Sequence, residues 1–263
     1  MASLYLREDL RDIPHDVSDV VSLHGDEQKH AVKVNRLRVG EETSIGDGRG
    51  LMVTGPVIAV SSTVLSIAVT HVLDVPVPEL SIWLVQALAK GDRDELAIQA
   101  ATELGIDGVV PWAAERSVSR WVGDKVAKGI DRWRSVVREA TKQSIRAWVP
   151  EVSGLHTTKE LVALAERTRV LILEPTAEHP ISSVDLAAVA QSDIAGEGVA
   201  QNPDSTLPDL VLVVGPEGGI AERELDDLTK AGATAVRLGP GILRTSSAGP
   251  AGLAALNVLL GRW

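Results

Sequence analysis

The 263-residue chain has no cysteine, so disulfide frameworks and thiolate-bound zinc are excluded outright, as fits a reducing compartment. No apolar run approaches the ~20 residues of a membrane-spanning helix. The first residues meet Arg7, Glu8 and Asp9 before any apolar signal core develops, so a cytoplasmic protein is expected. Low-complexity blocks are missing, and 44% hydrophobic with 24% charged residues is a globular composition. Neither Gly-x-x-x-x-Gly-Lys-Ser/Thr nor Gly-x-Gly-x-x-Gly after a strand is present, which counts against a nucleotide- or dinucleotide-binding enzyme. Basic charge is scarce as well: 26 Lys and Arg face 36 Asp and Glu, a net charge of −10 that at face value opposes RNA binding.

Local counts alter that last reading. Residues 115–150 hold 9 basic against 4 acidic side chains. Within them Arg134, Arg138, Lys142 and Arg146 recur every fourth residue, a spacing that keeps side chains near one side of a helix. Two readings stand: a solvated face opposite the apolar Ile130, Trp133, Val137 and Ala140, or a stripe that contacts phosphates.

The most informative residues lie near the C-terminus. Gly215-Pro216-Glu217-Gly218-Gly219 follows the β-branched run 210–214. The stretch from Leu238 and Gly239 through Ile242, Leu243, Arg244 and Thr245 to Ala248 follows a second run, 235–238. Glycine-bearing loops at the ends of buried strands place bare backbone where an α/β sheet binds ligands. A backbone-lined pocket for a flat, polar small molecule is expected there.

The chain is long enough for two domains. Residues 1–72 read as β-rich: 51–60 and 63–72 are strand candidates joined through Ser61-Ser62, Gly46, Gly48 and Gly50 mark turns, and 24–33 has the look of a short helix. Pro76 and Pro78 stiffen a linker over 73–80. From 81 to 263, strand candidates (81–85, 108–112, 170–173, 210–214, 234–238) alternate with helix candidates (92–104, 125–147, 158–167, 222–231). That alternation predicts an α/β fold with a mostly parallel sheet. An acidic, mobile insertion is expected over 192–208. The last helix is expected to follow the N-capping residues Thr245, Ser246 and Ser247, with Pro250 in its first turn. Its Gly249, Ala251, Gly252, Ala254 and Ala255 make a small-residue surface suited to close helix packing.

These motifs, in this order, resemble the RsmE family of ribosomal RNA methyltransferases in the SPOUT superfamily. The likeness spans nearly the whole chain: Arg7, His30 through Gly40, Gln86-Ala87-Leu88 with Lys90-Gly91, Glu103-Leu104-Gly105, Glu115 through Val118, Gln143 with Arg146, and both glycine loops. The family has Arg where this chain has Gly241, Glu-Thr where it has Ser246-Ser247, and His where it has Lys29. The resemblance implies S-adenosylmethionine-dependent methylation of N3 of a uridine in small-subunit (16S) ribosomal RNA, with no metal. It implies a trefoil-knotted C-terminal parallel sheet, a small PUA-like β-barrel in residues 1–72 that binds RNA, and a homodimer with the last helix at its two-fold interface. The cofactor would be held by Glu174, Pro175, Gly215, Pro216, Glu217, Gly218, Gly219, Leu238, Gly239, Ile242, Leu243, Thr245 and Ala248. Arg7, Lys33, Arg36, Arg134, Arg138, Lys142 and Arg146 would meet RNA. A non-catalytic ribosome-assembly factor on the same fold is the competing reading.

Methylating uracil N3 requires that its proton leave or that charge on the adjacent carbonyl oxygens be held. An always-charged, directional arginine suits the second task. Arg244 lies beside the presumed cofactor loop and either does this or braces the loop by bonding carbonyls. Arg7 is the second catalytic candidate, through the resemblance alone. Glu217 reads as an acid favoured by a helix N-terminus rather than a base, His30 as structural, and Glu103 and Glu115-Arg116 as either an ion pair or a loop brace.

Overall fold

The computed structural model describes residues 3–185 and 207–263. The chain forms two compact units: Met1–Pro78 with Arg138–Val149, and Glu79–Val137 with Pro150–Trp263. Most of the insertion expected over 192–208 lies outside the described residues.

In the first unit, β1 (Leu4–Leu6), β2 (Val20–Leu23), β3 (Glu42–Gly46), β4 (Leu51–Val60), β5 (Leu65–Ala68) and β6 (His71–Asp74) form one sheet in the order β1-β3-β4-β5-β2, with β6 also on β4. The single strand expected over 63–72 is two. One half of the long β4 pairs with β5 and the other with β6, all antiparallel. The reason is visible at Gly55, where an added Cβ would stand 1.8 Å from the Ala68 carbonyl oxygen, so the chain crosses there only over glycine. Tyr5, Leu10, Leu23, Ile45, Val53, Leu65 and Ile67 fill the core. Helix α1 (Gly25–Lys29) continues into a π-helical turn over His30–Val34, closed by the Asn35 N–H on the His30 carbonyl.

The segment Arg138–Val149 completes this unit. The Gly50 N–H donates to the Ala147 carbonyl, the Val149 N–H to that of Gly48, and the Trp148 indole to that of Val75. Ala147 and Val149 pack on Leu4, Leu6 and Met52.

The second unit is α/β. Its strands β7 (Ile82–Ala87), β8 (Gly108–Trp112), β9 (Glu151–Val152), β10 (Arg169–Leu173), β11 (Leu210–Val214) and β12 (Thr234–Val236) form a wholly parallel sheet in the order β12-β10-β11-β7-β8-β9. Among the described residues its helices are α2 (Arg93–Glu103), α3 (Asp124–Gln143), α4 (Thr158–Ala165), α5 (Glu222–Lys230) and α6 (Thr245–Leu259). Every residue of β8 and β11 is buried, as their unbroken apolar sequences require when both sheet faces are covered.

Helix α3 stops at Gln143 rather than running to 147, and Ile145 adopts a left-handed φ of 54° just beyond it. Helix α6 starts earlier than expected, with Thr245 as its first residue and Pro250 already past the first turn. Its small residues serve the sheet of its own unit. A Cβ on Gly249 would come within 3.1 Å of Leu84, and one on Gly252 within 2.8 Å of Leu212. Val258 and Leu259, on the same helix, remain exposed.

Candidate active site

Because β12, β10 and β11 are neighbours and parallel, the loops that leave their C-terminal ends converge. They enclose a cleft of about 650 Å³ lined by Glu174, Pro175 and Thr176 from the first loop, Gly215 to Ile220 from the second, and much of 237–248 from the third. That volume lies within the ordinary range for small-molecule sites. All thirteen residues expected to hold a cofactor line it: Glu174, Pro175, Gly215, Pro216, Glu217, Gly218, Gly219, Leu238, Gly239, Ile242, Leu243, Thr245 and Ala248. Arg237 and Gly241 line it too, as does Arg93, to which the sequence alone assigns no role. A Cβ on Gly219, Gly239 or Gly241 would meet nothing within 4 Å, so bare backbone borders open space here.

The loops are held from outside. The Arg237 guanidinium donates to the carbonyls of Ala177 and Glu178, fixing the loop after β10. Arg116 donates to the Gly218 and Ile220 carbonyls, each at 3.3 Å, which is the brace expected of it. Behind it the buried Glu224 carboxylate accepts from the Glu115 N–H at 2.9 Å, the Thr158 hydroxyl at 2.6 Å and the Ala221 N–H at 3.3 Å. The Gly219 N–H closes a turn on the Pro216 carbonyl, and its φ of +72° is the left-handed conformation glycine tolerates.

Glu217 is not at the start of the following helix, which opens at Glu222. Its Oε1 instead accepts from the Lys90 N–H at 3.3 Å and from Arg93 at 3.0 Å. Burial alone pushes this carboxyl up; the backbone N–H groups and Arg93 outweigh it and hold the group below its usual range. A carboxylate so held is a poor proton acceptor near neutrality.

Arg244 precedes α6 with extended backbone and an exposed side chain. Its guanidinium makes no hydrogen bond or ion pair among the described residues, so the bracing of loops falls to Arg237 and Arg116 instead. Thr245, by contrast, is buried: its hydroxyl donates to the Gly215 carbonyl at 2.8 Å and accepts from the Gln86 amide at 2.9 Å.

In the first unit, Arg7 forks onto Asp9 at 2.8 and 3.1 Å and reaches the Ser22 carbonyl at 3.2 Å. His30 sits edge-on to Tyr5, a structural placement. Lys33 and Arg36 are exposed, with no ion pair among the described residues. The stripe on α3 does not stay on one side. Arg134 is exposed beside Asp131 at 3.1 Å, and Arg138 is partly covered and paired with Glu27 at 3.1 Å. Lys142 is only 6% exposed, between Glu27 at 3.4 Å and Glu139 at 2.7 Å, and Arg146 is half-buried beyond the helix end. Lys142 is therefore a buried partner of two carboxylates rather than part of a solvated basic face. Each four-residue step turns a side chain about 40° around a helix, and the turns accumulate.

Among the described residues no helix is long and apolar enough to cross a membrane, and no cluster of acidic residues and histidines is arranged to hold a metal.

Comparison with known proteins agrees with this geometry. The RNA methyltransferase domain family matches residues 76–257. A protein of Mycobacterium tuberculosis named ribosomal RNA small subunit methyltransferase E is 43% identical over 253 residues, which is 94% of this chain and 90% of that protein. Its namesake in Bacillus subtilis is 30% identical over 246 residues, 90% of this chain and 89% of the relative. Among solved structures, the Neisseria gonorrhoeae enzyme of that name, bound to S-adenosyl methionine, superposes with a TM-score of 0.77 at 27% identity over 98% of both chains. With its cleft built at the ends of β10, β11 and β12, the chain belongs to the ribosomal RNA small subunit methyltransferase E family of RNA methyltransferases.

Proposed function

We propose that this RNA methyltransferase uses S-adenosylmethionine to methylate N3 of one uridine in the 16S RNA of the small ribosomal subunit. The observation that carries the reading is the cleft of three glycine-bearing loops, open at Gly219, Gly239 and Gly241, in a chain of this family. A flat purine and a short zwitterionic tail fit a site bounded by main chain with few side chains, and the exposed edge at Ile242 and Leu243 adds apolar cover. When bound, the cofactor supplies a methyl group already activated on a sulfonium, so the protein's work is to orient, to exclude water and to hold charge.

Arg244 is assigned the charge: its guanidinium, unpaired among the described residues, would meet the uracil carbonyl oxygens as N3 becomes nucleophilic. Glu217 orients the loop and is not the base. The first unit, Met1–Pro78 with Arg138–Val149, is assigned to a PUA-like RNA-binding module, and the second, Glu79–Val137 with Pro150–Trp263, to a knotted SPOUT domain. Lys33 and Arg36 are the RNA contacts best supported by exposure, with Arg134 beside them in the assignment. Arg7, Arg138 and Arg146 would first have to leave or share their present partners. Exposed Val258 and Leu259 on α6 support a homodimer through that helix.

Transfer of labelled methyl from S-adenosylmethionine to unmodified small subunits, with the label recovered on uracil N3 after digestion, is the expected outcome. Label on another atom, or none on the RNA, overturns the assignment. Neutralising Lys33 and Arg36 together should lower RNA affinity across sequences and reduce the slope of log affinity against log salt by about 0.7 per lost single-strand contact. An unchanged slope removes both from the RNA surface.

A further inference from the structure

Gln86 is wholly buried near the end of β7, paired in register with Val214, and does not line the cleft. Its Nε2 donates to the Ala87 carbonyl at 3.1 Å and to the Thr245 hydroxyl at 2.9 Å, and its Oε1 has no partner among the described residues. An unpartnered buried amide oxygen is destabilising, so an apolar side chain of this size would suit the core better. Something other than packing accounts for the amide.

The orientation of the amide follows from its neighbours. The atom that faces Thr245 also faces a carbonyl oxygen, which accepts only, so that atom is the nitrogen. The Thr245 hydroxyl therefore receives a hydrogen from Gln86, and its own single hydrogen goes to the Gly215 carbonyl at 2.8 Å. A one-way relay thus runs from the floor of the sheet through the first residue of α6 to the first residue of the glycine loop. It ties the second and third loops of the cleft to each other and fixes the Gly215–Pro216 peptide plane, from which the turn to Gly219 departs.

We propose that Gln86 is a positioning residue: acting through Thr245, it sets the spacing of the two glycine loops and so the affinity for the methyl donor. The inference rests on the assignment of this cleft to S-adenosylmethionine. Gln86→Met keeps the volume and removes the donor, and it is expected to weaken S-adenosylmethionine binding by about tenfold in titration calorimetry. Thr245→Val, which leaves Gln86 in place, should weaken it similarly, and the double variant should be little worse than either, since both break one path. Thr245→Ser restores the hydroxyl and should recover most of the loss. Cofactor affinity is the deciding readout because a purely structural amide would lower the melting temperature without this shared, serine-rescued loss. Undiminished binding by Gln86→Met, losses that multiply in the double variant, or a serine variant as weak as the valine one would each overturn the proposal. Absence of binding by the unmodified protein would instead overturn the functional assignment and this inference with it.

Discussion

Single-turnover methylation by Arg244→Ala is expected to fall by about a hundredfold or more, with cofactor and RNA affinity near their unmodified values. Negative charge on the uracil oxygens grows as N3 gives up its proton and attacks, so a donor aimed at those oxygens acts mainly in the transition state. The structure makes the test clean. Arg244 bonds no loop carbonyl among the described residues, and Thr245, the neighbour that anchors the loop, is untouched by the change. Thermal stability should therefore stay level, separating lost chemistry from a collapsed loop. Arg244→Lys should recover little, because a point ammonium does not reproduce a planar fork across two oxygens. Turnover near the unmodified rate in Arg244→Ala would remove the residue from the chemistry.

Gly218→Val should abolish measurable cofactor binding while leaving cooperative unfolding intact. A Cβ at Gly218 would lie 3.4 Å from the Arg116 Cβ, an ordinary contact that the fold accommodates. The branched methyls of valine would then press on Arg116, whose guanidinium holds the Gly218 and Ile220 carbonyls, and would shift the loop that borders the cleft. Gly219 is a poorer probe, since its φ of +72° would add backbone strain to any loss of space. Calorimetric titration of the valine variant with S-adenosylmethionine decides the matter, and unchanged affinity would move the site away from this loop.

Much of the cleft was legible in the sequence because it is made of main chain. Glycine and proline at strand ends declare a loop without reference to anything distant, and β10, β11 and β12 are short apolar runs with clear edges. Residues that work through remote partners gave no such signal. Arg93 is read only with Glu217, 124 residues away in sequence, and Arg237 only with the carbonyls of Ala177 and Glu178. Lys142 shows a different limit. Spacing fixes where a residue sits around a helix, but which side is covered depends on Glu27 and its surroundings. In the first unit, β1, β2, β3 and β9 of the second escaped notice because runs of two to five residues carry too little alternation to stand out from loop. The type of Thr245 predicts a helix cap, its favoured local role, whereas its hydroxyl donates to a strand end thirty residues away.

The first unit is discontinuous along the chain, and that has a consequence for how the protein is made. During synthesis the sheet of β1 to β6 has emerged by residue 78, yet the strip that covers Leu4, Leu6 and Met52 arrives only with Ala147 and Val149. At translation speeds of about 5–20 residues per second, those apolar side chains and the open carbonyls of Gly48 and Val75 wait for several seconds. The N-terminal module therefore does not mature first and independently. Its completion is timed by the passage of β7, α2, β8 and α3, and any ribosomal pause between residues 78 and 149 prolongs the exposure of an unfinished surface.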